Sequence, residues 1–167
     1  SWYDTNIVNT GNEKYIADAI YCNDRNVLSG TGIGTTKTTY AAKTRIDNGT
    51  PTLKCTNNND KFTKSTTLGN GKLTKMIGLI TTDEVMYAGG TSSHNTEYYL
   101  YSGELYWTMT PKVSAFGYAY VYDVLSDGNL LERTDASGIG TVRPVVSLKS
   151  DAISGGSGTA ASPFLVG

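Results

Sequence analysis

The stretch Phe116-Gly117-Tyr118-Ala119-Tyr120-Val121-Tyr122-Asp123-Val124 decides the fold class. Phe116, Tyr118, Tyr120, Tyr122 and Val124 fall on one side of a period-two pattern, with Gly117, Ala119, Val121 and Asp123 on the other. Only a β-strand puts alternate residues on opposite faces, so the segment is predicted as a strand. Ser126-Asp127-Gly128-Asn129 follows as a tight turn, and Leu130 to Thr134 returns as the partner strand of a hairpin. Further on, Thr141 to Leu148 (TVRPVVSL) and Pro163 to Val166 (PFLV) are two more short strands separated by a Gly/Ser-rich loop.

Toward the N-terminus the pattern changes. Thr81 and Thr82 precede Asp83 and Glu84, then Val85, Met86, Tyr87 and Ala88, then Gly89-Gly90. A capping hydroxyl, acids in the first turn, an apolar turn and a glycine stop predict a short helix. After a polar loop the chain becomes aromatic, with Tyr98, Tyr99, Tyr101, Tyr106 and Trp107, and the run closes at Pro111. Asn70-Gly71 is a hairpin-turn signal leading into Leu73 to Leu79. Tyr40 to Ile46 is a second short helix, broken by Asn48-Gly49 and Pro51, and Thr52 to Cys55 is extended. Tyr15, Ile16, Ala19 and Ile20 are at helical spacing, so a third helix is predicted over Asn12 to Cys22, capped by Asn12. Leu28 to Thr39 (LSGTGIGTTKTT) is an exposed loop. Its GTGIG has the spacing of neither phosphate motif, and no Gly-Lys-Ser/Thr follows it. Asn57 to Asp60 (NNND) is a solvated turn, without the alternating acids and glycine of an EF-hand loop.

The 167 residues amount to one domain, with Ser1 to Gly11 expected to be a lead-in from a preceding region. Fifteen acidic against fourteen basic residues leave no excess positive charge, which argues against nucleic acid or an anionic membrane as partner of the whole chain. Charged residues are only 17%, replaced by Thr, Asn, Ser and Gly, as in extracellular β-rich domains. No apolar run approaches the roughly 20 residues of a membrane span. The chain opens on Ser1-Trp2-Tyr3 rather than on a leader, so it is expected to be a mature piece of a larger protein. Cys22 and Cys55 lack the neighbouring ligands of a zinc site; a disulfide is expected, with two buried thiols as the alternative.

GLITTDEVMYAGG, YYLYSGELYWTMTP, the hairpin AYVYDVLSDGNLL and TVRPVVSLK, in this order and with YCNDR around Cys22, resemble the C-type-lectin-like domains of Gram-positive bacterial surface proteins, often modules of unknown function. The resemblance implies an α+β fold, with short helices flanking small twisted antiparallel sheets and long loops forming a ligand surface. The count of early helices and late strands agrees with it. Formylglycine-generating enzymes and the variable proteins of diversity-generating retroelements are more distant relatives of that fold, and the resemblance implies that Trp107 and Arg143 frame the binding face. The chain departs from the enzymes in having no cysteine after Cys55, and from calcium-dependent lectins in lacking Glu-Pro-Asn, Gln-Pro-Asp and Trp-Asn-Asp.

No convergent catalytic set is visible. His94 is the single histidine and lies in a polar loop, and a neighbouring serine does not make a triad. The acid pairs Asp83 with Glu84 and Asp123 with Asp127 keep a glycoside hydrolase as an alternative, though helix-start and turn roles account for them. Arg143 in an apolar strand needs a partner, either an acid such as Asp123 or Glu84 or a ligand. Tyrosine packs on half-buried sheets and also serves evolved binding surfaces. The expectation is therefore a non-catalytic, extracellular, cell-surface recognition module without cofactor or metal, binding a protein or glycan. Its contact residues would be Asn95, Tyr98, Tyr99, Tyr101, Tyr106, Trp107, Tyr118 and Arg143. A structural spacer or tip domain of a fibrous adhesin or pilus is the rival.

Overall fold

The computed structural model describes residues 1–32, 34–131 and 135–167. A π-helical turn (Asp4–Val8) and a 3₁₀ turn (Asn12–Tyr15) lead into β1 (Ile16–Ala17), β2 (Tyr21–Cys22), β3 (Val27–Ser29), β4 (Thr38–Tyr40) and helix α1 (Ala42–Asn48). A second 3₁₀ turn (Asn58–Asp60) precedes β5 (Lys61–Phe62), β6 (Gly78–Leu79) and α2 (Thr82–Tyr87). The long strands β7 (Tyr106–Ala115) and β8 (Tyr118–Val124) follow. The chain ends with β9 (Leu130–Leu131), β10 (Pro144–Val145), β11 (Ser147–Leu148), β12 (Ile153–Gly155) and β13 (Leu165–Val166). The architecture is mixed α+β, with few short helices and a curled antiparallel sheet.

That sheet has the order β3-β4-β7-β8-β9, and the other strands form two-stranded pieces around it: β1 with β11, β2 with β5, β6 with β10, β12 with β13. The alternating tyrosine segment is β8, as its periodicity requires. Its partner β7 is the strand that the sequence concealed, because Pro111 sits inside it. Proline has no amide to donate to a ladder, and the register duly shifts on either side of Pro111. Tyr106 stands opposite Val124 at one end of the ladder and Ala115 opposite Tyr118 at the other. Leu130–Leu131 returns on β8 as β9 after the Ser126–Asn129 turn; residues 132 to 134 of the predicted strand lie outside the described residues.

Both helices with marked termini form. Thr81 Oγ1 accepts from the Glu84 amide while the Glu84 carboxylate accepts from the Thr81 amide, a capping box that satisfies two orphan donors at the start of α2. Helix α1 begins two residues later than predicted and ends on Gly49 in the left-handed conformation (φ 63°). The helices sit on the sheet over one divided core. Val85, Tyr98, Tyr106, Val124 and Leu130 make one part, Ala42, Ile46 and Tyr122 the other, and Met86 touches both.

Four expectations are corrected. Asn12 to Cys22 is not a helix: the 3₁₀ turn stops at Tyr15, and Ile16–Ala17 pair with Leu148 and Ser147 while Tyr21–Cys22 pair with Phe62 and Lys61. Pairing with distant strands outweighs a weak helical spacing. Asn70-Gly71 makes no hairpin, because Asn70 and Leu73 donate back to the carbonyls of Lys61 and Thr63 and leave only Gly78–Leu79 as strand. The TVRPVVSL segment splits into β10 and β11, which pair with β6 and β1 respectively. Within 28–39, the ends are strands β3 and β4 rather than loop. In the lead-in, Tyr3 is buried and Lys75 bonds the Asp4 carboxylate, which holds it well below the usual range.

Cys22 and Cys55 form a disulfide across 33 positions, fastening the otherwise ladder-free 52–55 segment to β2. Closing a loop of this size restricts the unfolded chain by roughly 3 to 4 kcal/mol. Cys22→Ser should therefore lower the melting temperature by roughly 10 °C in calorimetry. An unchanged melting temperature, in the variant or under reductant, would show that the bond contributes nothing to stability.

Candidate functional site

The eight residues singled out in the sequence divide between two ends of the β7–β8 hairpin. At the Tyr106 end, Tyr98 (7% exposed) and Tyr106 (1%) belong to the core, so their rings cannot be offered to a ligand. Tyr101 stacks at a tilt on Tyr98, with centroids 6.2 Å apart, and its hydroxyl donates to the Ser126 carbonyl. Arg143 takes neither of the acids considered for it. It donates to the Leu100 carbonyl at 2.8 Å and lies over the face of the Tyr106 ring, 4.5 Å from its centroid. Asn95 is spent on its own loop, donating to the Gly89 carbonyl and accepting from the Glu97 amide. Gly128 fixes how this loop docks: at φ 79° a Cβ would fall 1.7 Å from the Asn95 carbonyl oxygen, so only glycine fits. Trp107 is half-buried, with Gly140 pressed against its indole. Tyr99, 87% exposed, is the one side chain of this group that is freely displayed.

The opposite end is different. Phe116 and Gly117 form the two-residue turn between β7 and β8, both at positive φ (55° and 83°). Such hairpin turns match the twist of the strands but favour Asn-Gly, because a side chain in the left-handed region crowds the backbone. Here a bulky phenylalanine holds that position, and its side chain is 80% exposed. Tyr118, next to the turn, is 54% exposed. Cross-strand pairing puts Thr39, Val113 and Tyr120 side by side on one face, with Tyr118 the next residue on that face toward the turn. Helix α1 covers this face only at Tyr122, where Ala42 and Ile46 pack. The rest stays open as a groove of about 180 Å³ lined by Lys37, Thr39, Lys43, Lys112 and Val113. Phe116 was read as the first residue of a strand, and the lysines were not singled out. The missed signal was a bulky residue before glycine where a two-residue turn must fall.

A second cleft, of about 210 Å³, lies beside the disulfide and contains Asp24, Arg45, Asp83 and Glu84. Its charges hold each other. Arg45 grips Asp83 with two hydrogen bonds of 2.7 and 2.9 Å and reaches Asp24 at 2.9 Å, and Asp83 also accepts from the Thr52 amide. Glu84 is engaged in the capping box. The pair Asp83 and Glu84 therefore has structural partners, as does Asp127, which accepts from the Asn129 amide, while Asp123 is fully buried. His94 lies exposed in its loop. Among the described residues no group of three or more His, Cys, Asp or Glu is placed to hold a metal ion, and no helix is long and apolar enough to cross a membrane.

Burial raises the Tyr98 hydroxyl well above the ordinary phenol range, helped by the adjacent Tyr106 hydroxyl, and burial likewise raises Tyr3 and Tyr21. A raised phenol keeps its proton in the folded chain while the unfolded chain loses it near pH 10, so the folded state is penalised only above that pH. Unfolding free energy should be flat between about pH 6 and pH 9 and fall as pH rises beyond about 10. Tyr98→Phe should make that fall shallower in urea titrations; an identical alkaline slope would mean that Tyr98 ionises as freely in the folded chain.

Comparison with family models, with curated proteins and with solved structures finds no match to this chain.

Proposed function

We propose that the chain is an extracellular ligand-recognition module of a bacterial surface protein, non-catalytic and built on a C-type-lectin-like fold. The observation that carries this reading is Phe116. Holding a bulky residue in the left-handed region costs roughly 1 to 2 kcal/mol relative to a conformation that it prefers. The exposed ring buries nothing in return within the chain, and strain kept without an internal gain is characteristic of contact sites. Tyr118 beside it adds a large, stiff side chain with a polar tip, the type favoured in binding surfaces. The disulfide fits an oxidising compartment. Of the acids that would have served a hydrolase, Asp83 is held by Arg45, Glu84 by the capping box and Asp127 by the Asn129 amide.

The rival, a structural spacer, draws on a different observation. The C-terminal ribbon β12–β13 leaves Ile153, Phe164, Leu165 and Val166 exposed. Two-stranded ribbons are marginal alone, so this one suits packing against a neighbouring domain. The two roles are compatible on one chain, since they use separate surfaces.

Glycan arrays and pull-downs from host proteins, run on the native chain, Phe116→Gly and Tyr118→Ala, test the recognition role. Glycine relieves the left-handed strain, so Phe116→Gly should be as stable as the native chain or about 1 kcal/mol more stable, while its capture of ligand falls. No ligand in either screen, or capture indifferent to both substitutions, would leave the spacer role standing alone.

A further inference from the structure

We infer that the strained turn of one copy docks in an apolar groove of a second copy, so that the chain associates with itself through Phe116. The inference rests on the recognition role proposed above and names the partner of that site.

The groove lies beside the N-terminal turn. It measures about 460 Å³ and is lined by Trp2, Ile77, Gly78, Leu79, Val142 and Pro144, with no charged or hydroxyl side chain among the described residues. The antiparallel register sets Leu79 beside Pro144 on the two-residue strands β6 and β10. So short a ribbon is marginal without cover on its apolar face. Trp2 and Val142 nevertheless remain about half exposed, at 51% and 56%.

The turn cannot fill the groove of its own chain. Met109 donates to the Ile80 carbonyl and Trp107 to the Thr141 carbonyl, so both walls are tied to the Tyr106 end of β7. Phe116 lies some seven residues beyond Met109, roughly 23 Å of strand. A protruding ring at one end and an apolar groove at the other make a heterologous contact, which joins one copy to the next.

Shape and charge both suit that contact. A two-residue turn is convex, and a convex ring needs a concave receiver, which a sugar chain does not offer. Residues 113–122 and 28–36 carry no charge. The amides of Phe116 and Gly117 donate to the carbonyls of Thr35 and Gly34, which brings these two segments together at the tip. Aromatic centres depleted of charge mark protein–protein contacts. Neither surface has to bury an unpaired charge on docking.

An aromatic ring buries roughly 150 to 250 Å². Phe116 and Tyr118, with an equal area of groove, stay below the roughly 1,200 Å² of a stable complex. The contact between free copies is therefore weak, with a dissociation constant on the order of 0.1 to 1 mM. Copies crowded on one surface reach such effective concentrations.

The test is analytical ultracentrifugation of the full chain from about 10 μM to about 1 mM. The native chain should associate, and Phe116→Gly and Val142→Lys should each weaken association roughly tenfold or more. Val142 lies outside the core, so its substitution tests the groove and not the folding. Mixed in equal amounts, the two variants should pair again, because Phe116→Gly keeps an intact groove and Val142→Lys an intact turn. That rescue requires both variants to be folded. Phe164→Ser, on the exposed C-terminal ribbon, should associate like the native chain. A native chain that stays monomeric at about 1 mM, no rescue on mixing, or equal loss in Phe164→Ser overturns the inference. If the native chain stays monomeric while a glycan or host protein is captured through Phe116 in the screens, this inference fails and the recognition role stands. If neither occurs, both fail.

Discussion

Everything else in the molecule is arranged around one long antiparallel ladder, β7 with β8. The other strands are two or three residues long, too short to stand alone, and both helices are shorter than an isolated helix needs to persist in water. They hold because the ladder gives them a surface. β4 and β9 extend it on either side, α1 and α2 close over it through Tyr122 and Val85, and the Tyr98 loop docks against its Tyr106 end. The disulfide then ties the loop-rich first third to itself, and the Asp24–Arg45–Asp83 ion pairs fasten it to α2. The charged network is costly to desolvate and adds definition more than net stability, as is usual for partly buried pairs.

The same ladder separates stability from display. Its Tyr106 end is closed, with Tyr98 and Tyr106 buried and the Tyr98 hydroxyl pushed up by burial. Its turn end is open, with a strained phenylalanine, an exposed tyrosine and a lysine-lined groove. A chain poor in charge and rich in tyrosine uses one residue type for two purposes, and the position along the hairpin decides which.

What was legible in the sequence followed from local physics. The period-two run fixed β8, the capping box fixed α2, and Gly49 and Pro51 marked the end of α1. The tight turn at Ser126–Asn129 was visible too. What was not legible depended on distant partners or on exceptions to preference. β7 was hidden by Pro111, whose missing amide is accommodated by a bulge; β1 and β2 were mistaken for a helix because their pairing partners lie far along the chain. For the site, tyrosine density between residues 98 and 107 did not show that Tyr98 and Tyr106 are buried while Tyr99 is exposed, since density alone does not distinguish a ring that packs from a ring that is shown. The exposed turn was signalled by Phe116-Gly117, where a two-residue turn between alternating segments places a bulky residue against its conformational preference.

The central claim, that one end of this hairpin seals Tyr98 and Tyr106 in the core while its turn displays Phe116 and Tyr118, is tested most directly by hydroxyl-radical footprinting of the native chain read by mass spectrometry. The account predicts rapid oxidation of Phe116, Tyr118 and Tyr99 and protection of Tyr98, Tyr106 and Tyr122. Oxidation of Tyr98 and Tyr106 at the rate of Tyr99, or protection of Phe116, would contradict it.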